Sequence, residues 1–189
     1  MRAQPVVFRD RLHCNGGATV TTVDYEACLK AFRGPAEEFF RIVENAPETA
    51  PVEFLRQVQL ILPQLHLAAL HLPDVDSDDW GETPRLPRIP DEQHMAVHNH
   101  LKALLGSYDL YWHVFDSRDH KEGAIYGSLT DDLEDIYFDL KNEIQALDHG
   151  ASVAYVLWGF RCLFYGHWGA HLVDASKAIH DHLAAIEEE

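Results

Sequence analysis

Asp132, Asp135, Asp139 and Glu143 recur at steps of three and four residues, and His167, His171 and Asp174 repeat that rhythm further on. On a helix such steps place side chains on one flank. Carboxylates lined up this way repel one another, so where they approach a core something must compensate. Three compensations compete. Water and the helix dipole suit acids in an opening turn, which covers Asp131, Asp132 and Glu134 but leaves Asp139 and Glu143. A second is Arg161, the only charge between Val153 and Gly166. A buried Arg needs a partner, and its planar fork suits the carboxylate of Asp135 or Asp139. The third is a divalent metal held by Asp132, Asp135, His167, His171 and Asp174, in the way helical bundles build sites from inward-facing acids and imidazoles. No Glu-x-x-His accompanies these acids, and Asp-Asp-x-x-Asp alone is unspecific, so no cofactor is expected by default and a divalent ion stays an alternative.

Other chemistry is thinly represented. No nucleophile–base pair is visible, and no residue is assigned a catalytic role. Cys162 lies in an apolar stretch and reads as inert. Gly159, Gly166 and Gly169 fall within a helical pattern rather than after a strand, which excludes a phosphate-binding loop. Tyr137, Trp158, Arg161 and Trp168 could wall a pocket for a small anion, although a packed core accounts for them more simply. His94 and His98 stand one turn apart with no acid in phase on their own helix, and read as surface residues. His66 and His71 are five apart and read as structural.

The elements that position these residues are helical. Leu129, Leu133, Ile136, Leu140, Ile144 and Leu147 form a sustained stripe behind Ser128 and Asp131, whose spacing resembles a capping box. The run from Val153 to Gly166 is apolar almost all round, which predicts a buried helix. Its small residues allow another helix to come close, and Trp168-Gly169 reads as a tight packing point. Asp24 caps a helix that Gly34-Pro35 should interrupt. Pro51 opens another, carrying Phe54 to Ala69, that Pro63 should kink or split. Residues 72 to 90 form a linker rich in Pro and Asp. A helix follows from about Asp91 to Gly106. Tyr108 to Asp116 alternates too poorly for a strand and reads as an aromatic connector; Ser117 to Gly127 reads as a polar loop. The prediction is an all-α, single-domain bundle of about five to seven helices with long loops, spanning residues 21–189 behind a flexible N-terminal arm, 1–20.

The whole chain of 189 residues is 47% hydrophobic and carries a formal charge of −16. That charge repels a phosphate backbone, and no basic stripe offsets it, which excludes nucleic acid as a partner. No apolar run is long enough for a membrane span, and no signal peptide stands at the N-terminus. Three cysteines, none closely paired, do not make a disulfide framework. The expected compartment is the cytoplasm.

Four segments resemble a bacterial family known as Domain of Unknown Function 5063: Leu62–Pro73, Tyr111–Phe115, Ser128–Leu140 and Trp168–His180. They cover most of the chain from about residue 50 onward and leave out the first twenty residues. The resemblance implies a small, mostly helical bacterial protein with Asp132, Asp135 and Asp139 as its characteristic polar group. It also implies that His167 and His171 are not obligatory, which weighs against metal. It supplies no activity or substrate.

Two functions are carried forward. The first is a non-enzymatic module, regulatory or binding a protein partner or a second copy of itself, with a polar core or ligand site of Asp132, Asp135, Asp139, Tyr137, Arg161 and Trp168. The second is a metal-binding protein or metal-dependent hydrolase built on the acidic helix and the His167/His171 pair. The sequence favours the first.

Overall fold

The computed structural model describes residues 23–81, 89–114, 121 and 123–188. The proposed N-terminal arm lies outside them. Besides three single 3-10 turns, the described residues form six α-helices and one two-stranded hairpin: α1 Tyr25–Glu44, α2 Pro51–Leu70, α3 Asp91–Leu105, β1 Leu110–His113, β2 Ile125–Ser128, α4 Leu129–Asp148, α5 Val153–Gly166 and α6 Trp168–Glu187. The protein is mostly helical, as its periodic stripes predict. No helix among the described residues is long and apolar enough to cross a membrane.

Helix α4 is the hub. It packs against α1, α3, α5 and α6, while α1 pairs with α2 and α2 with α6. Its stripe behaves as read: Leu129, Leu133, Ile136 and Leu140 are fully buried. Phe32 of α1, Phe160 of α5 and Trp168 of α6 meet in the same core, with the Phe32 and Phe160 rings 4.5 Å apart. Each large apolar side chain buried this way contributes about 1.5–3 kcal/mol. Ser128 caps α4 by accepting from the Asp131 amide at 3.3 Å, and Asp24 caps α1 by accepting from Ala27.

Three local expectations fail for identifiable reasons. Gly34-Pro35 does not interrupt α1, nor Pro63 α2. Pro63 faces solvent, where water can serve the carbonyl that loses its donor. The middle of the aromatic connector is a strand. Leu110 to His113 pairs antiparallel with Ile125 to Ser128, its side chains alternating exposed and half-buried. Tyr111 lies opposite Gly127, where a Cβ would stand 2.5 Å from the Tyr111 ring. Only a glycine there lets the ring lie flat across its partner strand. Finally, α5 is not buried all round, since Cys162 and Tyr165 are exposed.

The stretch from Val153 to His171 is two helices rather than one. His167 leaves helical geometry at φ −153°, ψ −86°, and its amide bonds back to the Leu163 carbonyl at 2.7 Å. Beyond this corner Gly169 lies so close to Phe164 that a Cβ would run into that residue's carbonyl and ring. The small residue is what allows the chain to turn this tightly. The corner sets the start of α6 against α4.

Candidate functional site

Between α4 and α6 the acids and imidazoles interlock. The His171 Nδ1 lies 2.8 Å from Asp132 Oδ1, and the His167 Nδ1 lies 2.7 Å from Asp139 Oδ2. Opposite a carboxylate, each Nδ1 carries the hydrogen and donates it. The other ring nitrogens then turn towards one carboxylate: the Nε2 of His171 is 3.3 Å, and that of His167 3.9 Å, from Asp135 Oδ2. One ligand atom from each of Asp135, His167 and His171 lies within 4.8 Å of the other two. Atoms bound at about 2.1 Å to a shared ion sit roughly 3.0–3.5 Å apart, so a small closure would complete the set.

The surroundings support this arrangement. Asp132 is 5% exposed and also accepts from the Tyr111 hydroxyl at 2.6 Å. Burial pushes its carboxyl above the usual range, and the bonds from His171 and Tyr111 pull it back. Burial likewise raises Asp139, against the bond from His167. The bond to Asp132 holds the His171 imidazole above its ordinary value, helped by the charges of Asp132, Asp135 and Asp174. Burial and the bond to Asp132 push the Tyr111 hydroxyl far up, so it remains a donor. The hairpin is pinned to the same place through Asp109. Its carboxylate accepts from the Thr130 amide at 2.8 Å and the Ser128 hydroxyl at 3.0 Å, and its carbonyl accepts from the Leu129 amide. A cleft of about 600 Å³ opens in front, between the hairpin, α4 and α6.

The sequence-derived residues divide. Asp132, Asp135, Asp139, His167 and His171 come together. Asp174 lies in the cleft wall, 3.6 Å from His113 Nδ1. Tyr137, Arg161 and Trp168 stand elsewhere. Tyr137 donates to Glu44 of α1 at 2.9 Å and packs on Phe40. Trp168 is fully buried and its Nε1 donates to the Phe160 carbonyl. Arg161 does not meet Asp135 or Asp139. Its Nη1 donates to the Leu72 carbonyl at 3.1 Å, beyond the C-terminus of α2, and its guanidinium lies over Tyr165. It points away from α4 on a partly open face of α5, so no buried charge calls for an acid. The anion pocket is not formed either, because Trp158 packs tilted against Trp80, 4.2 Å between centroids, while Trp168 fills the core. Tyr111, His113 and Asp109 were not assigned to a site by sequence. The one local signal was the placement of Tyr111 and His113 two apart, on the same face of any strand.

A similar solved structure is that of protein BF1032 from Bacteroides fragilis. It is 26% identical, with a TM-score of 0.69, and the match covers 83% of this chain and 92% of that one. No curated protein matches. A family model described as Domain of unknown function (DUF5063) matches residues 23–185, and this chain belongs to that family.

Proposed function

We propose that this protein binds one divalent transition-metal ion through Asp135, His167 and His171. The observation that carries the reading is the division of labour between the ring nitrogens. Each Nδ1 is held by its own carboxylate, Asp132 or Asp139, which leaves both Nε2 atoms free to face a third. Metal-bound histidines are characteristically oriented this way, and the outer carboxylate raises the basicity of the ligating nitrogen. Two imidazoles and one carboxylate, with further positions open to the cleft, form a donor set used by zinc in hydrolases and by iron(II) in oxygenases. The acids are also available for the role, since Arg161 is engaged elsewhere.

Cobalt(II) titration of the purified protein, followed by its visible absorption, tests this. The expected result is one ion per chain, with binding lost in His171→Ala. A wild-type protein that takes up no stoichiometric ion, or a His171→Ala variant that binds as tightly, would overturn it.

A protein-partner role has one supporting observation of its own. Trp112 and Tyr126 stack at 4.0 Å on the outer face of the hairpin, 60% and 62% exposed. Aromatic rings left in the open suit an interface. Sedimentation of the wild type beside Trp112→Ser would tell whether that face joins two copies.

A further inference from the structure

The cleft has a feature that metal binding leaves unused. On β1, Tyr111 and His113 turn inward. Tyr111 is spent on Asp132. His113 is only 18% exposed in its side chain, and its Nδ1 is buried with no hydrogen-bond partner. Asp174 Oδ2 lies 3.6 Å from that nitrogen, just past hydrogen-bond reach. Leaving a buried ring nitrogen unpaired is costly, and here a small movement of either side chain closes the bond. Asp174 follows His171 by one turn on α6, and both line the cleft with His113. So one further imidazole lines the same cleft as His167 and His171, with a carboxylate near its Nδ1. The same pairing orients a general base in hydrolytic sites.

The charge of the wall restricts what can enter. Among the described residues lining the cleft, Asp109, Asp131, Asp132 and Asp174 are acidic and Lys102 is the cationic one. Asp109 is occupied by the N-terminus of α4. One divalent ion, already facing Asp135, does not reverse the sign of the remainder.

We propose that His113, positioned by Asp174, carries the proton in a metal-assisted hydrolysis of neutral or cationic esters or amides; this rests on the metal reading above. An ion held by Asp135, His167 and His171 would make a nearby water more acidic; His113 would take one proton from that water as its oxygen adds to the substrate carbonyl carbon. The bond from that carbon to the leaving oxygen or nitrogen then breaks, and His113 returns its proton to the leaving group. One water is consumed. With an ester, the acid product ionises and releases one proton to solvent.

That released proton is the readout. Cobalt-loaded protein is followed in a pH-stat with three esters: 4-nitrophenyl acetate, which is neutral, acetylcholine, which is cationic, and acetylsalicylate, which is anionic. The first two should be hydrolysed at least ten times faster than the third. His113→Gln should keep its single cobalt ion and lose about a hundredfold in rate, within the usual range for a general base. Added imidazole should restore much of the rate to His113→Gly, an effect that a merely structural role would not produce. Asp174→Asn should lose less than His113→Gln. Wild-type protein that holds its ion but cleaves none of the esters, a His113→Gln variant as fast as wild type, or a preference for acetylsalicylate would each overturn the proposal while leaving the metal site standing. A protein that takes up no ion overturns both.

Discussion

Helix α4 carries a histidine–carboxylate cluster on each of two flanks, and the two differ in which atoms the imidazoles turn to the acids. Towards α6, His167 and His171 each give Nδ1 to a separate carboxylate and turn Nε2 to Asp135. Towards α3, His98 and His94 both direct Nδ1 at the same residue, Glu134, at 2.8 and 3.8 Å. One ligand atom from each of His98, Asp131 and Glu134 also lies within 4.8 Å of the other two. Both flanks meet that limit, but the imidazoles are oriented differently. On the α3 flank both imidazoles turn Nδ1 to the one carboxylate of Glu134 instead of each having its own. His94 is in addition stacked flat on Phe138 at 3.6 Å. Geometry that leaves lone pairs free and convergent separates a ligand set from a closed ion pair.

The largest expected effect breaks the α6 flank alone. Asp135→Asn removes a proposed ligand and should weaken cobalt binding more than about a hundredfold, since even the carboxylates behind ligating imidazoles account for about 10–100-fold. Glu134→Gln should leave the affinity unchanged. Equal losses in the two variants, measured by calorimetric titration, would erase the distinction between the flanks.

Next come the outer carboxylates. Asp132→Asn and Asp139→Asn preserve shape but no longer hold the Nδ1 hydrogen against a charge. Each should weaken the ion about 10–100-fold with the stoichiometry still one. Asp132→Asn should be the more harmful to folding, because its site is the more buried and also receives Tyr111. If either variant bound the ion as tightly as wild type, the imidazoles would not depend on these acids for their orientation.

Glu143 continues the α6-side acids one turn further with no imidazole to meet it. Its Oε2 is buried without a hydrogen-bond partner, against Gly159 of α5, where a Cβ would run into the carboxylate. Burial, and then the charge of Asp139, push this carboxyl up to about 7. An ordinary Glu titrates near 4.3 in the unfolded chain. The folded state therefore holds the proton more tightly, and the stability it contributes is full below about pH 4.3 and lost as pH rises through about 7. The difference amounts to about 4 kcal/mol at ~1.4 kcal/mol per pH unit. Glu143→Gln should flatten this dependence and be more stable than wild type at pH 8, read by urea denaturation at several pH values. A wild-type curve that does not fall between pH 5 and 8 would contradict the burial of this group.

How much of this was legible follows from the range over which each signal acts. The α4 stripe, its Ser128 cap and the close approach at Gly169 are written locally, in spacing and in a missing Cβ, and they were readable. The steps of three and four that gathered Asp132, Asp135, Asp139, His167 and His171 were readable too. Which nitrogen faces which oxygen was not, because it depends on the corner at His167, where the polar residues continue a helical rhythm across a break in the helix. Arg161 misled because a lone charge in an apolar run was taken as buried, whereas its face of α5 borders the exposed end of α2. The hairpin was hidden by the shortness of its strands and by Gly127, which weakens a strand signal yet is needed for the Tyr111 ring. Asp109 gave no local sign, since the helix that it caps begins twenty residues later.

The smallest expected effect is on the α3 flank, and it completes the contrast. His98 and Glu134 form a half-exposed pair, with side chains 29% and 17% accessible. Such a pair is worth about 0–1 kcal/mol, because water screens it and two side chains must be held still. His98→Gln keeps a hydrogen-bonding group opposite Glu134, so it should change stability by less than about 1 kcal/mol and leave cobalt binding at one ion per chain. The two α3 imidazoles share one acid, whereas each α6 imidazole has its own. Two measurements therefore test one idea from opposite sides. Loss of the bound ion in His98→Gln would mean that outer acids are not what prepares an imidazole for metal here. A second, weaker ion in the wild type that disappears in His98→Gln would mean that closeness alone suffices. Retention of a single ion, with stability nearly unchanged, is the result required if the orientation of the imidazoles selects the site.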